Sequence, residues 1–259
     1  MQQKIKMENK HGEKLVGVLH ESGSNEIVIV CHGFLCSKDQ PIIMNLAVAL
    51  ENARISVFRF DFTGNGESEG SFQFGNYCRE TEDIRAVTQY FSKHNRKVIA
   101  ILGHSKGGNI VLLYASKYHD IDAVVNISGR YYLHRGIEER FGKNFMERIN
   151  KDEFIDFTNK GEREDYRATK ESLMERLNIN MHDTCLSIDK RCRVLTIHGA
   201  SDKVVKLEDA REFDKVIPNH TLHIVKGANH GYTKHQSELA STVVSYINGC
   251  LQLRKKVVV

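Results

Sequence analysis

The stretch VIAILGHSKGGNIVLLYASK, residues 98–117, constrains the fold more than any other part of the chain. Five apolar residues run into Gly103-His104-Ser105-Lys106-Gly107, and apolar residues at helical spacing begin at once. An unbroken apolar run of this length reads as a strand buried on both faces of a parallel sheet. A helix that starts so soon after a strand needs a sharp turn, and the glycines on either side of Ser105 permit one. Lacking Cβ atoms, Gly103 and Gly107 let the two backbones approach closely while the turn pushes the serine hydroxyl outward. The hydroxyl then lies beyond the carboxyl edge of the sheet, where ligands bind in such folds. The helix start beneath it offers unpaired amides to an anion.

The rest of the chain repeats the unit. Residues 4–8 and 14–20 read as a hairpin around NKHGE, and EIVIVCHG (26–33) as an interior strand. Pro41 opens a helix, 54–61 returns as strand, and 75–94 reads as an amphipathic helix. Beyond the helix at Lys106, strands at 122–128, 193–199 and 221–227 alternate with helices at 207–217 and 236–247. Repeated β-α units predict a mostly parallel sheet flanked by helices on both faces. Only residues 130–190 break the rhythm. Their aromatics sit among nearly balanced charges, too patterned for a linker and too long for a plain connection. An inserted cap is expected there, with a hairpin in DEFIDFTNKGEREDYRATK centred on Lys160-Gly161 and a helix in KESLMERLNI. The core would comprise 1–129 and 191–259.

Composition narrows the function classes. A formal charge of +4 over 259 residues, with no basic stripe interleaved with aromatics, does not suggest nucleic acid as a partner. No apolar run approaches the roughly 18 residues of a membrane span, so no membrane partner is expected. No secretory signal is visible, and the six cysteines show no paired or ligand-like spacing, so reduced thiols and a cytoplasmic location are expected. Thirteen histidines include no HxxxH or HExxH pattern, and no metal or cofactor is expected.

Ser105 is a weak nucleophile unless a base takes its proton. In this kind of sheet a carboxylate and a histidine should follow in that order. VLTIHGASDKVV places Asp202 just past one predicted strand, and LHIVKGANHGY places His230 just past the next. Both fall on the sheet edge that carries Ser105. The alternatives, a helix-capping Asp202 and a loop His230, explain each residue singly but not their joint placement. CHGF (31–34) ends an interior strand in a turn, so the amides of Phe34 and Lys106 are the expected oxyanion donors. His32 and Gly33 are expected to shape that turn, and His104 to pack at the strand end.

Together, CHGF, FDFTGNGESEG, GHSKGG, HGASDKVV and ANHGY resemble the α/β-hydrolase superfamily, in particular feruloyl (cinnamoyl) esterases and S33 aminopeptidase-like hydrolases. The resemblance spans roughly residues 10–250. It implies an α/β-hydrolase fold with a cap inserted after the sixth strand, and cofactor-free hydrolysis of a small-molecule carboxylic ester. By the same resemblance Ser105 is the nucleophile, His230 the base and then the acid, and Asp202 the group that orients His230. Lys106, where many relatives carry Met or Gln, and Asn65, where many carry His, depart from the pattern. Tyr131, Phe154, Phe157 and Tyr166 are expected to line a pocket over Ser105, which would favour cinnamoyl-type acyl groups. Peptidase, thioesterase or acyltransferase chemistry on the same three residues, or a receptor on a hydrolase scaffold, are the alternatives.

Overall fold

The computed structural model describes residues 2–158 and 165–257. Strands β1 (Gln2–Glu8) and β2 (Lys14–His20) form the expected antiparallel hairpin, and β2 also pairs antiparallel with β4 (Ser56–Phe60). From there the sheet is parallel through β3 (Glu26–Cys31), β5 (Lys97–His104), β6 (Ala123–Ile127), β9 (Arg193–Gly199) and β10 (His220–Val225). The spatial order is β1-β2-β4-β3-β5-β6-β9-β10. Crossover helices connect the parallel strands: α1 (Pro41–Asn52), α2 (Tyr77–Lys93), α3 (Lys106–Tyr118) and α8 (Leu207–Val216), with α9 (Gln236–Val257) closing the chain. This is the α/β-hydrolase fold.

Alternation along the strands builds two apolar layers. In β3, Ile27, Ile29 and Cys31 face α2, α3 and α8, whereas Val28 and Val30 face α1 and α9. Burial on both faces is why these strands read as continuous apolar runs. β3 stops at Cys31, short of the expected 33, because His32 and Gly33 already belong to the turn. α9 runs past the expected 247. Gly249 is a weak helix residue, yet Cys250 and Leu251 continue the packing against the second layer.

After β6 the chain leaves the sheet and returns at β9. The excursion holds α4 (Ile137–Phe141), α5 (Phe145–Asp152), β7 (Phe154–Thr158), β8 (Asp165–Thr169), α6 (Lys170–Asn178) and α7 (Met181–Leu186). β7 and β8 pair antiparallel from Phe154↔Thr169 to Thr158↔Asp165, and Lys160-Gly161 lies outside the described residues. A third apolar cluster joins Ile137, Phe141, Ile149, Ile155, Phe157, Ala168 and Leu173 to Phe74 of the sheet domain. Among the described residues, no helix is long and apolar enough to cross a membrane.

Candidate active site

The turn between β5 and α3 holds Ser105 at φ 57°, ψ −119°, a conformation that costs a non-glycine residue about 1–3 kcal/mol. The surrounding backbone enforces it: Ser105 N donates to Ile127 O at 2.8 Å. A Cβ on Gly103 would come within 2.2 Å of Gly107 O, and one on Gly107 within 2.4 Å of His32 O. Both glycines are therefore required by contact, for the reason their spacing suggested.

Asp202 and His230 come from the loops after β9 and β10, on the same edge. His230 Nε2 lies 3.0 Å from Ser105 Oγ, and His230 Nδ1 lies 2.7 Å from Asp202 Oδ2. With Nδ1–H donating to the carboxylate, Nε2 keeps its lone pair for the serine proton. Asp202 Oδ1 accepts from the amides of Val204 (2.8 Å) and Val205 (2.9 Å), which fixes the carboxylate's orientation. Burial of this side chain is the largest single influence and pushes its pKa up. The hydrogen bonds from His230 and the two amides outweigh it and hold the carboxyl below its usual range. The side chain is inaccessible to solvent, whereas His230 is 19% exposed.

Two further histidines support the arrangement. His104 Nε2 donates to His230 O at 2.8 Å, and the rings lie 4.9 Å apart. Burial, aided by the nearby His230, pushes His104 down to about 3, so it stays neutral. His32 donates through Nδ1 to Gly33 O (2.8 Å) and accepts from the Phe62 amide at Nε2 (3.1 Å), which shapes the turn after β3. Burial pushes it down to about 4. The amides of Phe34 and Lys106 have no protein acceptor among the described residues.

The Lys106 side chain, a departure from the family pattern in sequence, turns to the buried Glu80. Nζ lies 2.7 Å from Glu80 Oε1 and 5.0 Å from the centre of the Tyr77 ring. Burial pushes Glu80 up to about 7 against the pull of Lys106. Neither Glu80 nor Tyr77 stands out in the sequence.

A cleft of about 110 Å³ opens at Ser105, walled by Phe34, Tyr77, Lys106 and Asn109 and by Arg130, Arg140 and Arg176. None of the four aromatic residues expected on its wall is there. Tyr131 shares a hydrogen bond with His182 Nδ1 (2.7 Å) and packs on Phe213, because its backbone amide is drawn to the buried Asp209. Phe154 is exposed, with the Arg167 guanidinium 3.7 Å over its ring. Phe157 is taken into the third cluster, stacked 6.4 Å from Phe34, and Tyr166 packs against Phe72 and Phe157. Arginines occupy the wall instead, and nothing in the sequence distinguishes those three from the surrounding charges. Among the described residues, no group of three or more His, Cys, Asp or Glu side chains is placed to hold a metal ion.

A family model described as serine aminopeptidase, S33 matches residues 23–157. Among solved structures, Est1E from Butyrivibrio proteoclasticus, seen with ferulic acid bound, matches with a TM-score of 0.80 at 21% identity. That match covers 96% of this chain and 99% of Est1E. The Pyrococcus furiosus esterase Pf2001 matches with a TM-score of 0.74 at 22% identity, over 96% of this chain and 92% of its own. At such identities the likeness is one of fold. In sequence, 111 residues are 29% identical to protein phosphatase methylesterase 1 of Candida albicans, 43% of this chain. The matched region spans only 31% of that relative's length.

Proposed function

Since the chain belongs to the serine aminopeptidase S33 family and is an α/β-hydrolase, we propose that it hydrolyses carboxylic esters through an acyl-enzyme on Ser105. The observation that carries this reading is the continuous path from Asp202 Oδ2 through His230 to Ser105 Oγ, with steps of 2.7 and 3.0 Å. Phe34 and Lys106 line the same cleft, and among the described residues their amides have no protein acceptor. Ser105 Oγ attacks the ester carbonyl as His230 Nε2 takes its proton, and the carbonyl oxygen becomes an oxyanion between the Phe34 and Lys106 amides. Collapse breaks the C–O bond to the alcohol, which leaves with the proton from His230. Water then attacks the acyl-Ser105 carbonyl, gives a proton to His230, and releases the acid and the serine hydroxyl. Asp202 stays ionised throughout and stabilises the imidazolium.

The cleft is smaller than the roughly 300 Å³ at which drug-sized sites begin, which suits a small to medium acyl group. A preference for cinnamoyl-type groups loses the four aromatic residues it depended on, and Phe34 and Tyr77 are the aromatic surfaces that remain. Residues 130–190 act as the cap in this reading, since Arg130, Gly136, Arg140 and Arg176 of that segment form one wall of the cleft. The test is turnover of p-nitrophenyl acetate and butyrate by the native chain and by Ser105→Ala. A loss of at least about 10³-fold in kcat is expected, because members of such a triad act as a unit. Retention of most of the activity would remove Ser105 from the reaction.

A further inference from the structure

The lining of the cleft at Ser105 is cationic in a way that ester hydrolysis alone does not require. Arg130 follows β6, Arg140 lies on α4 and Arg176 on α6, yet all three line the same small space as Ser105. Among the described residues, none of the three forms an ion pair with a carboxylate. The neighbouring cations have acidic partners: Glu80 lies 2.7 Å from Lys106, and the buried Asp209 lies 3.2 Å from Arg135.

Backbone contacts hold two of the three heads. An Arg130 terminal nitrogen donates to Val204 O (2.6 Å), and its backbone is clamped by Asn109 through N–H (3.0 Å) and C=O (2.6 Å). Arg176 donates to Leu133 O (2.9 Å) and Arg135 O (3.1 Å), with its guanidinium 5.2 Å over the Phe74 ring. Arg140 lies over the rings of Phe34 (5.0 Å) and Phe157 (5.4 Å), and among the described residues its N–H donors meet no acceptor. A guanidinium carries five donors, and carbonyl contacts occupy only part of them on Arg130 and Arg176. Burial, and then the mutual repulsion of these cations, pushes Arg140 down, and burial and Arg176 do the same to Arg130. A cluster that repels itself is relieved by an anion, and guanidinium forks fit carboxylate or phosphate oxygens.

We propose that the ester turned over at Ser105 carries a second, anionic group, a carboxylate or a phosphate, which Arg130, Arg140 and Arg176 hold. This rests on the esterase reading and specifies its substrate class. The arginines bind the anion and set where the carbonyl sits relative to Ser105, and the bonds made and broken are those already described.

The test compares ethyl butyrate with three charged analogues: monoethyl glutarate, the butyryl ester of 3-hydroxypropanoate and the butyryl ester of 2-hydroxyethyl phosphate. Acid release is followed by pH-stat. These place a carboxylate on the acyl side, a carboxylate on the alcohol side and a phosphate on the alcohol side. At least one is expected to exceed ethyl butyrate in kcat/KM by 10-fold or more, with an advantage that shrinks as salt is added. The ratio of charged to neutral ester should fall at least 10-fold in Arg140→Gln and in Arg176→Gln, and largely survive in Arg140→Lys. Arg167→Gln, remote and paired with Asp156, should leave the ratio alone. Turnover of ethyl butyrate with no advantage for any charged ester, or an advantage that persists in both Gln variants, would overturn the proposal. If no ester is turned over, the esterase reading fails by itself, and thermal shifts with glutarate and inorganic phosphate decide the anion site. Stabilisation lost in Arg140→Gln supports the site, and no stabilisation of the native chain overturns it.

Discussion

The sheet edge that carries Ser105 and the segment between β6 and β9 hold their side chains by opposite means. At the edge, backbone does the work: a left-handed φ at Ser105, glycines at 103 and 107 where an added Cβ would clash with backbone oxygens, and amides clamped on Asp202. In the inserted segment, side chains do it. Phe141, Phe157, Ile149 and Leu173 bury one another in a cluster that reaches the sheet domain through Phe74 and Phe34. In the proposed reaction the first arrangement sets the rate, and the second contributes stability. Phe34 belongs to both: it lines the cleft at Ser105, and its ring packs in the cluster.

Asp202→Asn attacks the edge and should have the largest effect. An Asn can leave His230 in the tautomer whose Nε2 carries the proton, and kcat should fall by on the order of 10³-fold or more. The fold should survive, which circular dichroism would check. A loss below about 10-fold would break the comparison, since a clamped carboxylate would then have no part in rate. The acid side of the native profile sharpens the point. Protonated His230 cannot accept from Ser105, so kcat/KM should fall as pH drops. His32 and His104, pushed down to about 4 and about 3, are too acidic to produce a fall well above those values. A midpoint below about 4 would transfer the limb to them.

Glu80→Gln tests the edge for a stability role. It puts a neutral amide where burial already favours the neutral carboxyl, so no large loss of stability is expected near neutral pH by denaturant unfolding. The sign with pH follows from burial. Between the ordinary value of 4.5 and about 7 the folded chain keeps a Glu80 proton that the unfolded chain has released. Stability from this group is therefore present at low pH and lost as pH rises through about 7. The variant should show a shallower decline across that window, and an unchanged slope would contradict the burial effect.

Ile149→Ala empties part of the third cluster, where the side chain is fully buried. About 2–3 kcal/mol of stability should go, while kcat on p-nitrophenyl acetate changes less than about threefold. A large rate loss in a folded protein would mean that the inserted segment positions the reacting groups. Tyr131→Phe is the mildest case. It removes only the hydrogen bond to His182 and should cost about 1 kcal/mol, with no shift in the preference among acyl groups.

The same contrast explains what is legible in the sequence. The alternation of strands and helices, the elbow at Ser105 and the placement of Asp202 and His230 after successive strands all follow from local rules of periodicity and turn chemistry. So does the β7–β8 pairing. The cleft wall does not, because it depends on which way side chains turn once the inserted segment has folded. Phe157 and Tyr166 are indistinguishable in sequence from pocket residues, and burial takes them into the cluster. Arg140 and Arg176 are indistinguishable from solvated charges, and only the packing of α4 and α6 brings them to Ser105. Lys106 is visible beside the serine, but its partner Glu80 lies on another helix.

The most direct test of the role of Ser105 is covalent labelling with diisopropyl fluorophosphate, followed by peptide mass spectrometry. An activated serine displaces fluoride and retains the phosphoryl group. A single adduct is expected on Ser105 in the native chain, formed in step with loss of ester hydrolysis and greatly slowed in His230→Ala. Ester hydrolysis that continues undiminished with Ser105 unmodified, or an adduct at a different residue that tracks the loss of activity, would contradict that role.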